Sequence, residues 1–150
     1  RESKDFLQKY FKKELFFTDV EGKTKDEVLK NLCRKVEQEK GLPETFTASV
    51  LKREELTPTD YGNLVALPHP ERAFQERAFV AVAVLKEPIF WFRQKVQVVF
   101  LTAIGREEDE NLQQFYEATT DLILRPADVQ NLIRHPDYDR LIQLLRRAEE

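Results

Sequence analysis

The stretch Tyr61-Gly62-Asn63-Leu64-Val65-Ala66-Leu67-Pro68-His69-Pro70 contains an apolar run that ends at a histidine between two prolines. The run from Leu64 to Leu67 predicts a short buried strand. Proline fixes its own φ, lacks an N–H and favours an extended conformation for the residue before it, so the strand should stop at Pro68. A histidine held there can keep one ring nitrogen free while a backbone group binds the other. A loop histidine that only packs or hydrogen-bonds explains the same pattern, because short motifs also match by chance.

Residues upstream of His69 extend this stretch into a longer pattern of a charged pair, two threonines, a glycine and a Pro-His ending: Arg53-Glu54, Thr57, Thr59, Gly62 and Ala66-Leu67-Pro68-His69. The pattern resembles the phosphorylation site of the mannitol/fructose-type enzyme IIA (EIIA type-2) domains of the bacterial sugar phosphotransferase system (PTS). The resemblance covers the chain from about Tyr10 to Leu145. The combined motif is specific, whereas a Pro-His pair alone is not.

The resemblance implies a role for each residue of the motif. His69 would be the phosphoacceptor, because a neutral imidazole nitrogen is a nucleophile toward phosphorus. The residues themselves leave open which ring nitrogen reacts, and the resemblance implies Nε2. Arg53 would clamp the phosphoryl oxygens, since a guanidinium presents a fork of donors to phosphate; it could equally be a surface arginine at a helix end. Thr57, Thr59 and Asn63 could donate to the phosphoryl group or orient the ring, and turn chemistry accounts for them equally well.

The sequence departs from the transport members of this family at two places. Asn111 stands where those members carry a second histidine, and an amide can donate a hydrogen bond but cannot become cationic. Gly62-Asn63-Leu64 replaces a common Gly-Asn-Gly turn. Together with Pro70 and the run Pro88-Ile89-Phe90-Trp91, these departures make the chain most similar to the EIIA-like domain of BglG/LicR-type transcription antiterminators and regulators.

Three functions therefore compete. The first is a phosphoacceptor domain that regulates a transcription antiterminator or activator of carbohydrate operons. The alternative is a transport EIIA that passes phosphate from the histidine phosphocarrier protein (HPr) to an enzyme IIB (EIIB). A third is an interaction module that keeps the fold without phosphorylation, against which the intact Arg53 and His69 pair weighs. The expected partners are HPr or an EIIB, together with the rest of the parent regulator.

Composition limits the remaining possibilities. The chain has 150 residues, of which 41% are apolar and 34% charged, and this fits one globular domain with a core. Its net charge is −3 without a basic stripe, so no nucleic-acid contact is expected. A single cysteine, Cys33, fits a reducing cytoplasm and has no His or Cys at metal-ligand spacing, so neither metal nor cofactor is predicted. His135 is expected to be structural or exposed. Because the chain starts at Arg1 and has no Met, residues 1–150 are expected to be one domain excised from a longer protein.

Hydrophobic periodicity predicts helices and strands in alternation. We expect helices over residues 3–13, behind a Thr24-x-x-Glu27 capping box, after Pro43, from near Asp109, and starting at Pro126 and Pro136. We expect strands at residues 15–17, 64–67, 78–85 and 96–104, with a loop or hairpin at Lys86 to Pro88. This order predicts an α/β fold, and the family resemblance implies a three-layer sandwich with a mixed β-sheet flanked by helices on both faces.

Overall fold

The computed structural model describes residues 6–147. Its helices are α1 (Leu7–Tyr10), α2 (Lys25–Lys40), α3 (Thr45–Leu56), α4 (Leu112–Ile123), α5 (Pro126–Arg134) and α6 (Tyr138–Arg147). Its strands are β1 (Phe11–Phe17), β2 (Asp60–Gly62), β3 (Val65–Ala66), β4 (Phe79–Phe90) and β5 (Lys95–Ala103). Across residues 6–147 no helix is both long and apolar enough to span a bilayer.

The five strands form one mixed sheet in the order β1-β4-β5-β3-β2. β4 and β5 are antiparallel, whereas β1 runs parallel to β4 and β3 runs parallel to β5. The short strand β3 lies against the middle of β5, with Val65 opposite Val98 and Ala66 opposite Val99. Consequently β3 and β5 point their carboxyl ends toward the same edge of the sheet, and the chain reaches His69 there.

Helices cover both faces of this sheet, as predicted. On β4, Val80, Val82 and Val84 face a core shared with α1, α4, α5 and α6. Ala81, Ala83 and Leu85 alternate with them and face a second core shared with α2 and α3. A strand that is buried on both faces has a continuous apolar sequence, which is why the central position of β4 could be predicted from its residues. The predicted three-layer α/β sandwich is confirmed.

The predicted N-terminal helix is wrong over most of its length. The helix covers only Leu7–Tyr10, and residues 11–13 begin the strand β1; residues 3–5 lie outside the described part of the chain. Phe11 pairs with Val80 of β4 and is 1% exposed. Pairing with a central strand and burial of its phenyl ring favour the extended conformation over the helical periodicity of residues 6–11.

The predicted loop at Lys86 to Pro88 is also wrong, because β4 continues to Phe90. The pairing of β4 with β5 shifts register between Val84 and Ile89, and a proline is tolerated within a strand at such an irregularity.

Helix boundaries were predicted unevenly. Thr24 caps α2 by accepting the Glu27 N–H, and Gly41 ends it with a φ of 67°. Pro126 opens α5 as predicted. Pro43 and Pro136 instead lie two residues before α3 and α6. The fourth helix begins at Leu112 rather than at Asp109, because the Asp109 carboxylate accepts the Asn111 N–H and forms a turn before the helix.

Candidate functional site

His69 lies immediately beyond β3, at the edge of the sheet where β3 and β5 end. The carbonyl of Pro68 accepts a hydrogen bond from the Thr102 N–H of β5, at 3.0 Å, so the pairing of these strands continues past the end of β3. Pro68 and Pro70 are both buried and His69 between them is partly exposed. The stiff backbone predicted from the two prolines is therefore also anchored to the neighbouring strand.

The imidazole of His69 is oriented by the backbone of Leu67, two residues earlier in the chain. Nδ1 lies 3.2 Å from the carbonyl oxygen of Leu67. Because a carbonyl only accepts, this contact places the proton on Nδ1 in the neutral ring and leaves the lone pair on Nε2. The ring is thus held as the tautomer that a nucleophilic Nε2 requires.

A cavity of about 270 Å³ lies beside the ring. Its walls come from the ends of β3 and β5 and from one face of α4: Leu67, His69, Thr102, Ile104, Phe115, Tyr116, Thr119 and Thr120. Burial raises the pKa of Tyr116, so its hydroxyl stays protonated and able to donate near neutral pH. The hydroxyl of Thr119 already donates to the Phe115 carbonyl, at 3.0 Å. Sequence reasoning missed Thr102, Tyr116 and Thr120, because their nearness to His69 depends on strand pairing and helix docking.

None of the other predicted site residues lines this cavity. Arg53 lies in the last turn of α3 and is partly buried, and its guanidinium donates to the Thr57 carbonyl at 2.9 Å. Across residues 6–147 this is the one hydrogen bond that the guanidinium makes, so its other N–H groups can bind an anion. Thr57 is exposed and its backbone N–H closes the helix on the Arg53 carbonyl, at 3.4 Å.

Thr59 is hydrogen-bonded to the buried carboxylate of Glu54, a residue that was not predicted from the sequence to be functional. Glu54, only 1% exposed, accepts the Thr59 N–H at 2.6 Å and the Thr59 hydroxyl at 2.9 Å. It also accepts the indole N–H of Trp91, at 2.8 Å. Glutamate beside Arg53 was visible in the motif, but nothing in the sequence indicates that its side chain is buried.

Asn63 lies in the tight turn between β2 and β3. Gly62 pairs with Val65, so Asn63 and Leu64 are the two central residues, and their φ values are 53° and 69°. Positive φ at both positions is the condition for the hairpin turn whose twist matches the strands. The Asn63 amide donates to the carbonyl of Ile123, the last residue of α4, at 2.6 Å. The contacts of Asn63 therefore stabilise the turn between β2 and β3 and the carboxyl end of α4.

We expect Asn63→Ala to lower the free energy of unfolding by about 2 kcal/mol, because alanine tolerates positive φ poorly and cannot bind the Ile123 carbonyl. Urea unfolding measures this change. Asn63→Gly is the matched control, since glycine keeps the turn and loses only the amide, and it should be less destabilised. Slower phosphate uptake in Asn63→Ala at unchanged stability would instead assign Asn63 to the site.

Asn111 precedes the first residue of α4 and makes no capping hydrogen bond with its side chain. Its backbone N–H binds the carboxylate of Asp109, whose other oxygen accepts the hydroxyl of Tyr10 at 2.5 Å. Burial, reinforced by the hydrogen bond and the negative charge of Asp109, raises the pKa of Tyr10. Asn111 lies one helical turn before Phe115, which lines the cavity beside His69.

Comparison with protein families identifies the class of domain. Residues 9–148 match the family described as "Phosphoenolpyruvate-dependent sugar phosphotransferase system, EIIA 2". The chain belongs to this family, and the resemblance carried by the Arg53-to-His69 motif is confirmed.

Two relatives of the chain are transcriptional or operon regulators, and a solved structure shares its fold. The chain is 36% identical over 140 residues to the "Probable licABCH operon regulator" of Bacillus subtilis, covering 93% of this chain and 22% of that protein. It is 27% identical over 120 residues to the "Transcriptional regulator ManR" of Bacillus subtilis, covering 80% of this chain and 18% of the relative. The chain thus spans about a fifth of the length of these relatives. Its fold matches, with a TM-score of 0.73 and 18% identity, a structure of the complex of mannitol enzyme IIA and phosphorylated mannitol enzyme IIB from Escherichia coli, over 90% of this chain and 97% of the other.

Proposed function

We propose that this chain is the histidine phosphoacceptor domain of a transcription antiterminator or activator that controls carbohydrate operons. The observation that supports this most strongly is the His69 ring, whose Nδ1 binds the Leu67 carbonyl and leaves Nε2 as the nucleophile. Family membership supplies the reaction class, and similarity to two operon regulators supplies the regulatory role. HPr or an EIIB is the proposed phosphate donor, and the parent regulator receives the signal. A buried, unpaired Cys33 is consistent with the cytoplasm as the place where this happens.

With HPr as the donor, the proposed reaction exchanges one phosphorus–nitrogen bond for another. The Nε2 lone pair of His69 attacks the phosphoryl group on the donor histidine, and the bond to the donor nitrogen breaks with its electron pair. Nδ1 keeps its proton and donates a hydrogen bond to the Leu67 carbonyl, which stabilises the positive charge that the ring acquires. Negative charge is spread over the three equatorial oxygens during transfer, and the unoccupied N–H groups of Arg53 would bind them.

Phosphate transfer from HPr tests this function. The domain is incubated with phosphoenolpyruvate, enzyme I and HPr, and we expect an acid-labile, base-stable label that requires HPr. If no label forms on the folded domain, with either HPr or a phosphorylated EIIB as donor, the proposed function is wrong.

Asn111 is proposed to distinguish the regulatory role from the transport role. We expect Asn111→His to speed phosphate exchange with an EIIB, because a second imidazolium one turn before Phe115 would add positive charge near the phosphoryl group. This gain should be largest at low pH and fall as pH rises through the new histidine's pKa, near 6.5 when unperturbed. The pH profile of exchange measures it, with His135→Gln added as the control that must leave the new titration in place. An unchanged rate and profile would remove Asn111 from the site.

A further inference from the structure

Glu54 is connected to the His69 imidazole by consecutive hydrogen bonds. The carboxylate binds the backbone N–H of Thr59, at 2.6 Å, and the carbonyl of Thr59 accepts the backbone N–H of Leu67, at 3.1 Å. The carbonyl of Leu67 then accepts Nδ1–H of His69, at 3.2 Å. The strand bearing His69 is therefore held in place on one side by a carboxylate at the end of α3.

The same carboxylate fixes the turn that carries Arg53. Arg53 and Glu54 are adjacent in the last turn of α3, and each binds the segment that follows the helix. The Arg53 guanidinium donates to the Thr57 carbonyl, and the Glu54 carboxylate accepts the Thr59 N–H. The indole of Trp91, 4% exposed, donates to Glu54 from the turn between β4 and β5. Two further contacts join this turn to the same segment, because Asp60 accepts the N–H groups of residues 93 and 94.

Burial makes this arrangement sensitive to substitution. Glu54 is 1% exposed, and within the described residues its carboxylate has N–H and O–H donors but no ion-pair partner. A buried carboxylate is stable only when several donors bind it. Within residues 6–147 its donors all belong to Thr59 and Trp91, so the buried carboxylate holds these two residues in place.

We propose that Glu54 is a positioning residue for phosphoryl transfer, which holds the Arg53 turn and the His69 ring in the geometry that the reaction needs. It touches neither phosphate nor the reacting nitrogen and acts through Thr59 and Leu67. This inference rests on the proposed phosphoacceptor function.

Glu54→Gln tests the proposal with little change in side-chain shape. An amide offers one acceptor oxygen and turns N–H groups toward the remaining donors, so Thr59 or Trp91 loses its partner. We expect phosphate uptake from phosphorylated HPr to slow by about 10-fold at saturating donor, with little change in KM, since small displacements of reacting groups have effects of this size or larger. Imidazole nitrogen NMR of the unphosphorylated domain should show that His69 loses its preference for the Nδ1–H tautomer.

Exposed Glu55, the next residue on α3, supplies the matched control. Glu55→Gln should leave both the uptake rate and the His69 tautomer unchanged. If Glu54→Gln fails to fold, Glu54→Asp decides the matter, because its shorter side chain keeps the carboxylate but cannot bind Thr59 and Trp91 in the same geometry. Uptake should then slow and the preference of His69 for the Nδ1–H tautomer should weaken. A folded Glu54→Gln domain with wild-type rate and tautomer would overturn the proposal, as would a Glu54→Asp domain with both at wild-type values.

The tautomer measurement separates this inference from the proposed function. It needs no phosphate, so it still reports whether Glu54 positions His69 in a domain that accepts no label. If the wild-type domain takes up no phosphate, the proposed function is contradicted. If the wild-type and Glu54→Gln domains take up phosphate at the same rate and have the same His69 tautomer, only the role of Glu54 is contradicted.

Discussion

His69→Gln is expected to reduce phosphate incorporation from HPr to the background level. Glutamine keeps a polar side chain at the end of β3 but has no nucleophilic ring nitrogen, so no phosphorus–nitrogen bond can form. The fold should survive, because His69 is partly exposed and its side chain makes a single hydrogen bond to the described residues, to the Leu67 carbonyl. Radiolabel retained after base treatment and lost after acid treatment measures the incorporation.

His135→Gln is the matched control, because the chain contains only two histidines. His135 is exposed, as predicted, and follows the last residue of α5, where its backbone N–H binds the Asn131 carbonyl at 2.9 Å. Its substitution should leave incorporation unchanged. Label that persists in His69→Gln and disappears in His135→Gln would reverse the assignment.

Arg53→Ala is expected to slow phosphate uptake by about 10²-fold, which is the typical cost of removing one donor to a transition-state oxyanion. The free energy of unfolding should fall by less than about 1 kcal/mol, because the guanidinium makes one hydrogen bond within residues 6–147, at a solvent-accessible position. Rapid-quench measurement of uptake, combined with urea unfolding, separates the two effects.

Two variants sharpen this comparison. Arg53→Lys keeps the charge but loses the planar fork of donors, so its uptake rate should fall between those of the wild type and Arg53→Ala. Lys52→Ala removes the exposed neighbouring cation and should leave the rate unchanged. A large loss of stability in Arg53→Ala with normal uptake would mean that Arg53 serves the fold, through Thr57, rather than the reaction.

The layered fold was predictable because its signals are local. Three such signals each lie within a few residues of the chain: the apolar run of β4, the capping box at Thr24 and the helix stop at Gly41. The structure contains the strand, the helix cap and the helix end that they predict. The start of β1 at Phe11, directly after the short helix α1, was not predictable in this way. Phe11 fits a helical stripe in the sequence, and only its pairing with Val80, far along the chain, makes it part of a strand.

In the candidate site, too, the features set by neighbouring residues were predictable, and those set by distant parts of the chain were not. The Pro68-His69 ending could be read from the chain because two prolines restrict the backbone directly. The cavity beside His69 could not, since its walls come from strand ends and a helix brought together by the sheet. Glu54 illustrates the same limit: a glutamate next to an arginine reads as a surface pair, and only the folded chain buries it against Thr59 and Trp91.

The position of the phosphate on the protein tests the central claim most directly. The domain is phosphorylated by HPr, and NMR correlating phosphorus with the imidazole nitrogens identifies the bonded atom. With Nδ1 engaged by the Leu67 carbonyl, the phosphate should be bound to Nε2 of His69 and to no other atom. Phosphate on Nδ1 of His69, or on His135, would contradict the account.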